Sequence, residues 1–177
     1  MNTDIGIIIV FHIASLFFIS AIAKLTSLKQ FLQFVLDFNV LPARIAIVFG
    51  MLIPFLEFLG AAFLMIEHTH LYGGAILSFL LITFLYAIIH VLQSGEQISC
   101  GCYGRWFDFK VNQFTLGKAV YLLFLIIITI IVTPIYNGEY SVFFIVMGMI
   151  LTLLLLVTEK MWQIHIQTME HLHKKLK

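Results

Sequence analysis

Cys100 and Cys102 are the only cysteines of the chain, and they enclose a glycine in Ser99-Cys100-Gly101-Cys102-Tyr103-Gly104. Two thiols one residue apart close into a disulfide only if the backbone bends sharply, because the Cα atoms must come within about 4.4–6.8 Å. Gly101 permits that bend. A strained disulfide is more oxidising and exchanges more readily than a relaxed one, so the unit reads as a labile redox pair. Two other readings stay open: thiolates that hold a metal ion, and incidental free thiols in an apolar protein. Arg105 follows Cys102 closely, and a helix is expected to start near Phe114 with Thr115 as a possible cap. Positive charge and a helix N-terminus both favour the thiolate, which is the reactive form. Tyr103, Gly104, Trp106 and Phe107 are expected to hold the loop at the water boundary.

A second group of candidates lies in apolar surroundings. Glu57 follows Arg44 by thirteen residues, about 20 Å of helix, and an ionisable group at such a depth in lipid is a functional candidate. Pro54 precedes it and is expected to kink the helix beside the carboxyl group. His12 is the expected partner of Glu57, in a proton relay or at a quinone contact. The alternative is a carboxyl group bonded to Ser15, Ser20 or a backbone carbonyl, with a packing role alone. His90, ten residues before Cys100, is a further candidate or an ordinary interfacial histidine. His68 and His70 are expected on the opposite face from the cysteines, which argues against a shared metal site.

The elements that must position these residues follow from composition. With 62% hydrophobic and 11% charged residues and a mean hydropathy of +1.06, the chain lacks the polar residues to cover a water-soluble globule. The apolar runs are continuous rather than alternating, so a bilayer-spanning helix bundle is expected and a β-barrel is not. Runs of about 20 residues are needed to span, and five qualify: 5–23, 45–66, 71–92, 119–136 and 140–158. Ala21-Ile22-Ala23 imitates a signal-peptide cleavage site, but Asp4 is the one charge before it. The first helix is therefore expected to stay uncleaved.

All ten Lys and Arg residues fall in the connection between spans one and two, the connection between spans three and four, and the C-terminal tail. These share one face. The opposite face carries Asp4, Glu67 and Glu139, so the positive-inside rule predicts an external N-terminus and a cytoplasmic C-terminus. The net charge of +1, dispersed between spans, gives no sign of a nucleic-acid partner. Short connections make spans two and three, and spans four and five, expected antiparallel neighbours. Residues 28–38 form an expected amphipathic helix, interfacial or folded against the bundle, with Ser27 and Gln30 at capping-box spacing. The tail 159–177 is expected to continue the last span as an amphipathic helix, with Trp162 at headgroup level.

Cys-Gly-Cys-Tyr-Gly between the third and fourth spans, Ser20-Ala21-Ile22-Ala23-Lys24-Leu25 closing the first, and Pro54-Phe55-Leu56-Glu57-Phe58-Leu59-Gly60 in the second together resemble the MauE/DoxX family over roughly residues 5–135. The resemblance implies a four-helix core similar in plan to vitamin K epoxide reductase-type bundles, which relay electrons between a dithiol and a quinone. It further implies a multi-pass protein of the bacterial inner membrane. Its MauE branch is associated with methylamine utilisation and disulfide maturation of a dehydrogenase subunit, and many members accompany thioredoxin-like proteins. The chain departs from the pattern in its fifth span and at Leu116-Gly117-Lys118.

The expected function is thiol-disulfide exchange through Cys100 and Cys102 with a thioredoxin-like protein or exported client, with electrons passing to a quinone. A different class, a non-catalytic membrane scaffold or immunity-type subunit, uses the tail and the short helix instead. No hydrolase triad, nucleotide loop or metalloprotease motif is present in the sequence. One tension stands: the charge rule puts the thiols on the cytoplasmic side, where they are kept reduced. Electron uptake there, a reversed orientation, or cysteines with no redox role each resolves it.

Overall fold

Lipid offers backbone groups no hydrogen-bond partners, so an apolar run of spanning length folds into a helix that satisfies its own. A computed structural model describes residues 2–40, 42–94, 111–132 and 142–175, and all elements among them are helices. They are α1 (Asn2–Thr26), α2 (Leu28–Asp37), α3 (Ala43–Met65), α4 (His70–Ser94), α5 (Gln113–Val132) and α6 (Val142–Lys175). All but α2 are long and apolar enough to cross a membrane, giving the five expected spans. Residues 100–105, which hold the cysteine unit and Arg105, lie outside the described residues.

α1 is the hub of the bundle. Over half of its spanning window is buried, 56%, against 17% for α6, and it packs on α3, α5 and α6. Ile13, Ala14, Ala21 and Ala23 of α1 are sealed from solvent and lipid alike. α3 and α4 are neighbours, as the short connection at residues 66–69 predicts. Their backbones touch at two glycines: a Cβ on Gly73 would stand 2.3 Å from the Leu64 nitrogen and 2.7 Å from the Gly60 carbonyl oxygen. Small residues at such crossings let spanning helices approach closely. Gly73→Ala forces the two backbones apart and is expected to cost about 1–3 kcal/mol, the range for overpacking, read as a lowered midpoint of thermal unfolding in detergent.

The neighbour expected for the last span is corrected. α6 packs along α1 and makes no close backbone approach to α5. Gly148 is the reason, because a Cβ there would meet the Ile8 carbonyl and the Phe11 Cβ, both at 2.9 Å. α6 reaches α5 through long side chains, including Trp162, which stacks on Phe114 at 5.7 Å between centroids.

Two caps are corrected as well. α5 begins at Gln113 rather than at residue 119, and Asn112 caps it: Oδ1 accepts from the Thr115 backbone N–H at 2.9 Å and from the Thr115 hydroxyl at 3.1 Å. Thr115 is thus the capped residue rather than the cap. Ser27 forms no capping box, since its hydroxyl donates to the Ala23 carbonyl at 2.8 Å within the end of α1. That bond ties Ser27 backwards, and α2 folds against the first half of α3, where Leu32 and Val35 fill the space beside Gly50.

Candidate functional site

Folding α2 back along α3 sets the depth of the charged groups. Glu57 lies fourteen residues beyond the start of α3, about 21 Å along its axis, and Lys24 in the last turn of α1 meets it there. The Lys24 ammonium donates to Glu57 Oε1 and, at 3.0 Å, to Ser20 Oγ. Ser20 in turn donates to Glu57 Oε2 at 3.3 Å. Lys24 and Glu57 are 5% and 6% exposed, and the Lys24 nitrogen stands 5.2 Å from the centroid of the Phe31 ring of α2. A buried charge in lipid persists when paired and hydrogen-bonded, and here three helices supply the partners.

A second buried pair lies beside the first. Lys118 of α5 donates to Glu159 Oε1 of α6, and Glu159 is 2% exposed. Its Oε2 has no hydrogen-bond partner among the described residues. Lys24 is close enough for the two ammonium groups to repel one another. The four charges sum to zero, and the cluster joins α1, α3, α5 and α6.

Ser20, Lys24, Glu57 and Lys118 form the polar end of a cavity of about 170 Å³. Its remaining wall is apolar and rich in phenylalanine, drawn from all of α1 to α4 with Leu122 of α5. The cavity occupies the region where α3 and α4 diverge from their crossing at Gly60 and Gly73. Ser94 and Val111, the described ends of the connection that carries Cys100 and Cys102, stand at this same end of the bundle, with Val111 packed into the core alongside Val91 and Ala119.

Of the sequence candidates, Glu57 belongs to this cluster and His12 does not. His12 is corrected as its partner: it lies three turns before Lys24 on α1 and hydrogen-bonds instead to Thr152 of α6, Nδ1 to Oγ1 at 3.0 Å. The Thr152 hydroxyl is also 3.0 Å from the Gly148 carbonyl and 3.2 Å from the His12 carbonyl. A donating Nδ1–H with a hydroxyl directed at a carbonyl satisfies this set. Nε2 is buried without a hydrogen-bond partner among the described residues, and the Tyr121 ring lies edge-on at 6.4 Å. Thr152→Val removes the acceptor of that ring N–H and is expected to lower stability by about 1 kcal/mol, measured by thermal unfolding against the unmodified chain. His90 is exposed on α4 and lines no part of the cavity.

Sequence reasoning missed Lys24, Lys118 and Glu159. Lys24 and Lys118 pass for cations flanking a span, and Glu159 for the first residue of a solvated tail. Lys24 and Lys118 therefore sit in the protein interior rather than in aqueous connections. Among the described basic residues, Lys29, Arg44 and Lys160 are exposed at the cluster's end of the bundle.

Five helices able to span a membrane, joined by paired charges no soluble exterior would hide, define an integral membrane protein of the all-α class. Within that class, a family model described as methylamine utilisation protein MauE matches residues 2–133. The chain belongs to the MauE family. The match ends before α6, so Thr152 and Glu159 lie beyond it. Neither a curated protein nor a solved structure matches the chain.

Proposed function

We propose that this protein acts in methylamine utilisation as a membrane thiol-disulfide exchanger that serves the maturation of a partner protein. The observation that carries the reading is the shared end of the bundle. The connection holding Cys100-Gly101-Cys102 springs from Ser94 and returns at Val111, beside a buried, charge-balanced cluster and an apolar cavity. Family membership and the chemistry of a Cys-Gly-Cys unit support it.

In the proposed cycle, a partner thiolate attacks one sulfur of the Cys100–Cys102 disulfide and forms a mixed disulfide. The partner's second thiol then displaces that sulfur, so the partner leaves oxidised and the pair remains as a dithiol. Two electrons and two protons pass from the dithiol to a quinone, which becomes the hydroquinone as the disulfide reforms. Arg105 favours the thiolate through its charge. Gly101, Tyr103 and Gly104 shape the loop. The bilayer is that of the inner membrane, with the N-terminus outside and the C-terminus cytoplasmic; exposed Lys29, Arg44 and Lys160 support that orientation.

The test is trapping in cells. With Cys102→Ser or Cys100→Ser, acid quenching and alkylation are expected to preserve a reductant-sensitive adduct with the partner on a non-reducing gel. Absence of such an adduct in both variants, with the protein present in the membrane, overturns the exchange mechanism and leaves the scaffold reading. Labelling of the cysteines with a membrane-impermeant maleimide, in intact and then in opened cells, decides which side they face.

A further inference from the structure

The cavity has the size, lining and polar end of a ligand site. Its volume of about 170 Å³ slightly exceeds the roughly 150 Å³ that encloses a benzene ring in an engineered apolar cavity, so one ring fits and a phospholipid does not. Phe31, Phe34, Phe49 and Phe84 line it, and aromatic faces and edges suit a flat ring.

The head of the ligand is set by charge balance. Lys24 pairs with Glu57 and Lys118 with Glu159, so no net charge awaits a counter-ion. An anionic head would upset two satisfied pairs. A neutral head with acceptor oxygens suits the site, because Lys24 directs hydrogen bonds to Ser20 and Glu57 and an ammonium group has a third N–H to give. Access is from the bilayer. Tyr86 lines the cavity and is 62% exposed on the outward face of α4, on the side where α3 and α4 have diverged.

We propose that this cavity is the head-group site for a neutral single-ring quinone that enters laterally between α3 and α4, its carbonyl oxygen accepting from Lys24. The proposal rests on the thiol-exchange reading for its purpose, as the site of that cycle's electron acceptor, but binding itself needs no cysteine.

The test uses the full chain in quinone-free phosphatidylcholine nanodiscs, titrated with a decyl-substituted benzoquinone and compared with empty nanodiscs. Saturable binding is expected, and Ala87→Leu, which extends the α4 wall into the cavity, is expected to weaken it roughly tenfold or more. Ile131→Ala on the outer face of α5 is expected to leave it unchanged. An azido-substituted quinone on the unmodified chain is expected to label peptides of α3 and α4, which guards against a variant that fails to fold. Partitioning equal to that of empty nanodiscs, or labelling confined to other helices, overturns the proposal. Binding that persists in Cys100→Ser/Cys102→Ser supports the site even if that variant is fully functional, in which case the exchange reading fails alone.

Discussion

Glu57→Leu is expected to destabilise the protein by about 3–5 kcal/mol, the usual consequence of leaving one member of a buried ion pair without its partner. Lys24 cannot easily escape the loss. It is 5% exposed, packed against Phe31 and closed in by α2, so its ammonium group has no short path to water. Lys118 lies nearby with the same charge, and without Glu57 that repulsion goes unanswered. Most of the stability is expected to return in Lys24→Leu/Glu57→Leu, because apolar replacement of both members of a buried pair is often neutral or better. The measurement is a double-mutant cycle on unfolding in detergent, whose interaction energy isolates the pair. Single and double variants that unfold alike would show that the pair carries no coupling.

That network explains which parts of the molecule were legible in sequence. Span number, the short helix at 28–38 and the helical tail follow from apolar run length and periodicity, which are local properties. Partnership between Lys24 and Glu57, 33 residues apart, or Lys118 and Glu159, 41 apart, depends on how helices face one another. A lysine at the end of an apolar run reads as a snorkelling cation, and nothing local distinguishes it from one that turns inward. The weak clue was Glu57 itself, since a carboxylate in mid-span requires a cation or donor. His12 lay on the right helix but about 12 Å from Ser20 along its axis, while Thr152 was hidden in a span with no other mark. Ser20 was among the partners weighed for Glu57, and its hydroxyl does reach the carboxylate.

The family boundary gives α6 a particular place. The match covers α1 to α5, while Glu159 and Thr152 come from beyond it and neutralise or bond Lys118 and His12 within it. Lys118 is also one of the positions at which the chain departs from the family pattern. The added helix and the departing residue thus answer one another: a buried lysine requires a carboxylate, and α6 brings one to its side. Gly148 makes this possible by letting α6 settle on the α1 backbone.

Cys100→Ser/Cys102→Ser is expected to abolish partner maturation while the protein accumulates in the membrane at its normal level. Serine matches cysteine closely in size, but its hydroxyl forms no disulfide and is not ionised near neutral pH, so neither the mixed disulfide nor its resolution can occur. Removing a covalent nucleophile costs enzymes on the order of 10⁶ in rate, and no other cysteine is present to substitute. The effect therefore separates cleanly from that of Glu57→Leu, which lowers the amount of folded protein before it touches the chemistry. The readout is the fraction of partner carrying its native disulfides, normalised to the amount of membrane protein. Full maturation in the double variant would remove the thiols from the function and leave the helical scaffold, with its long α6, as the working part.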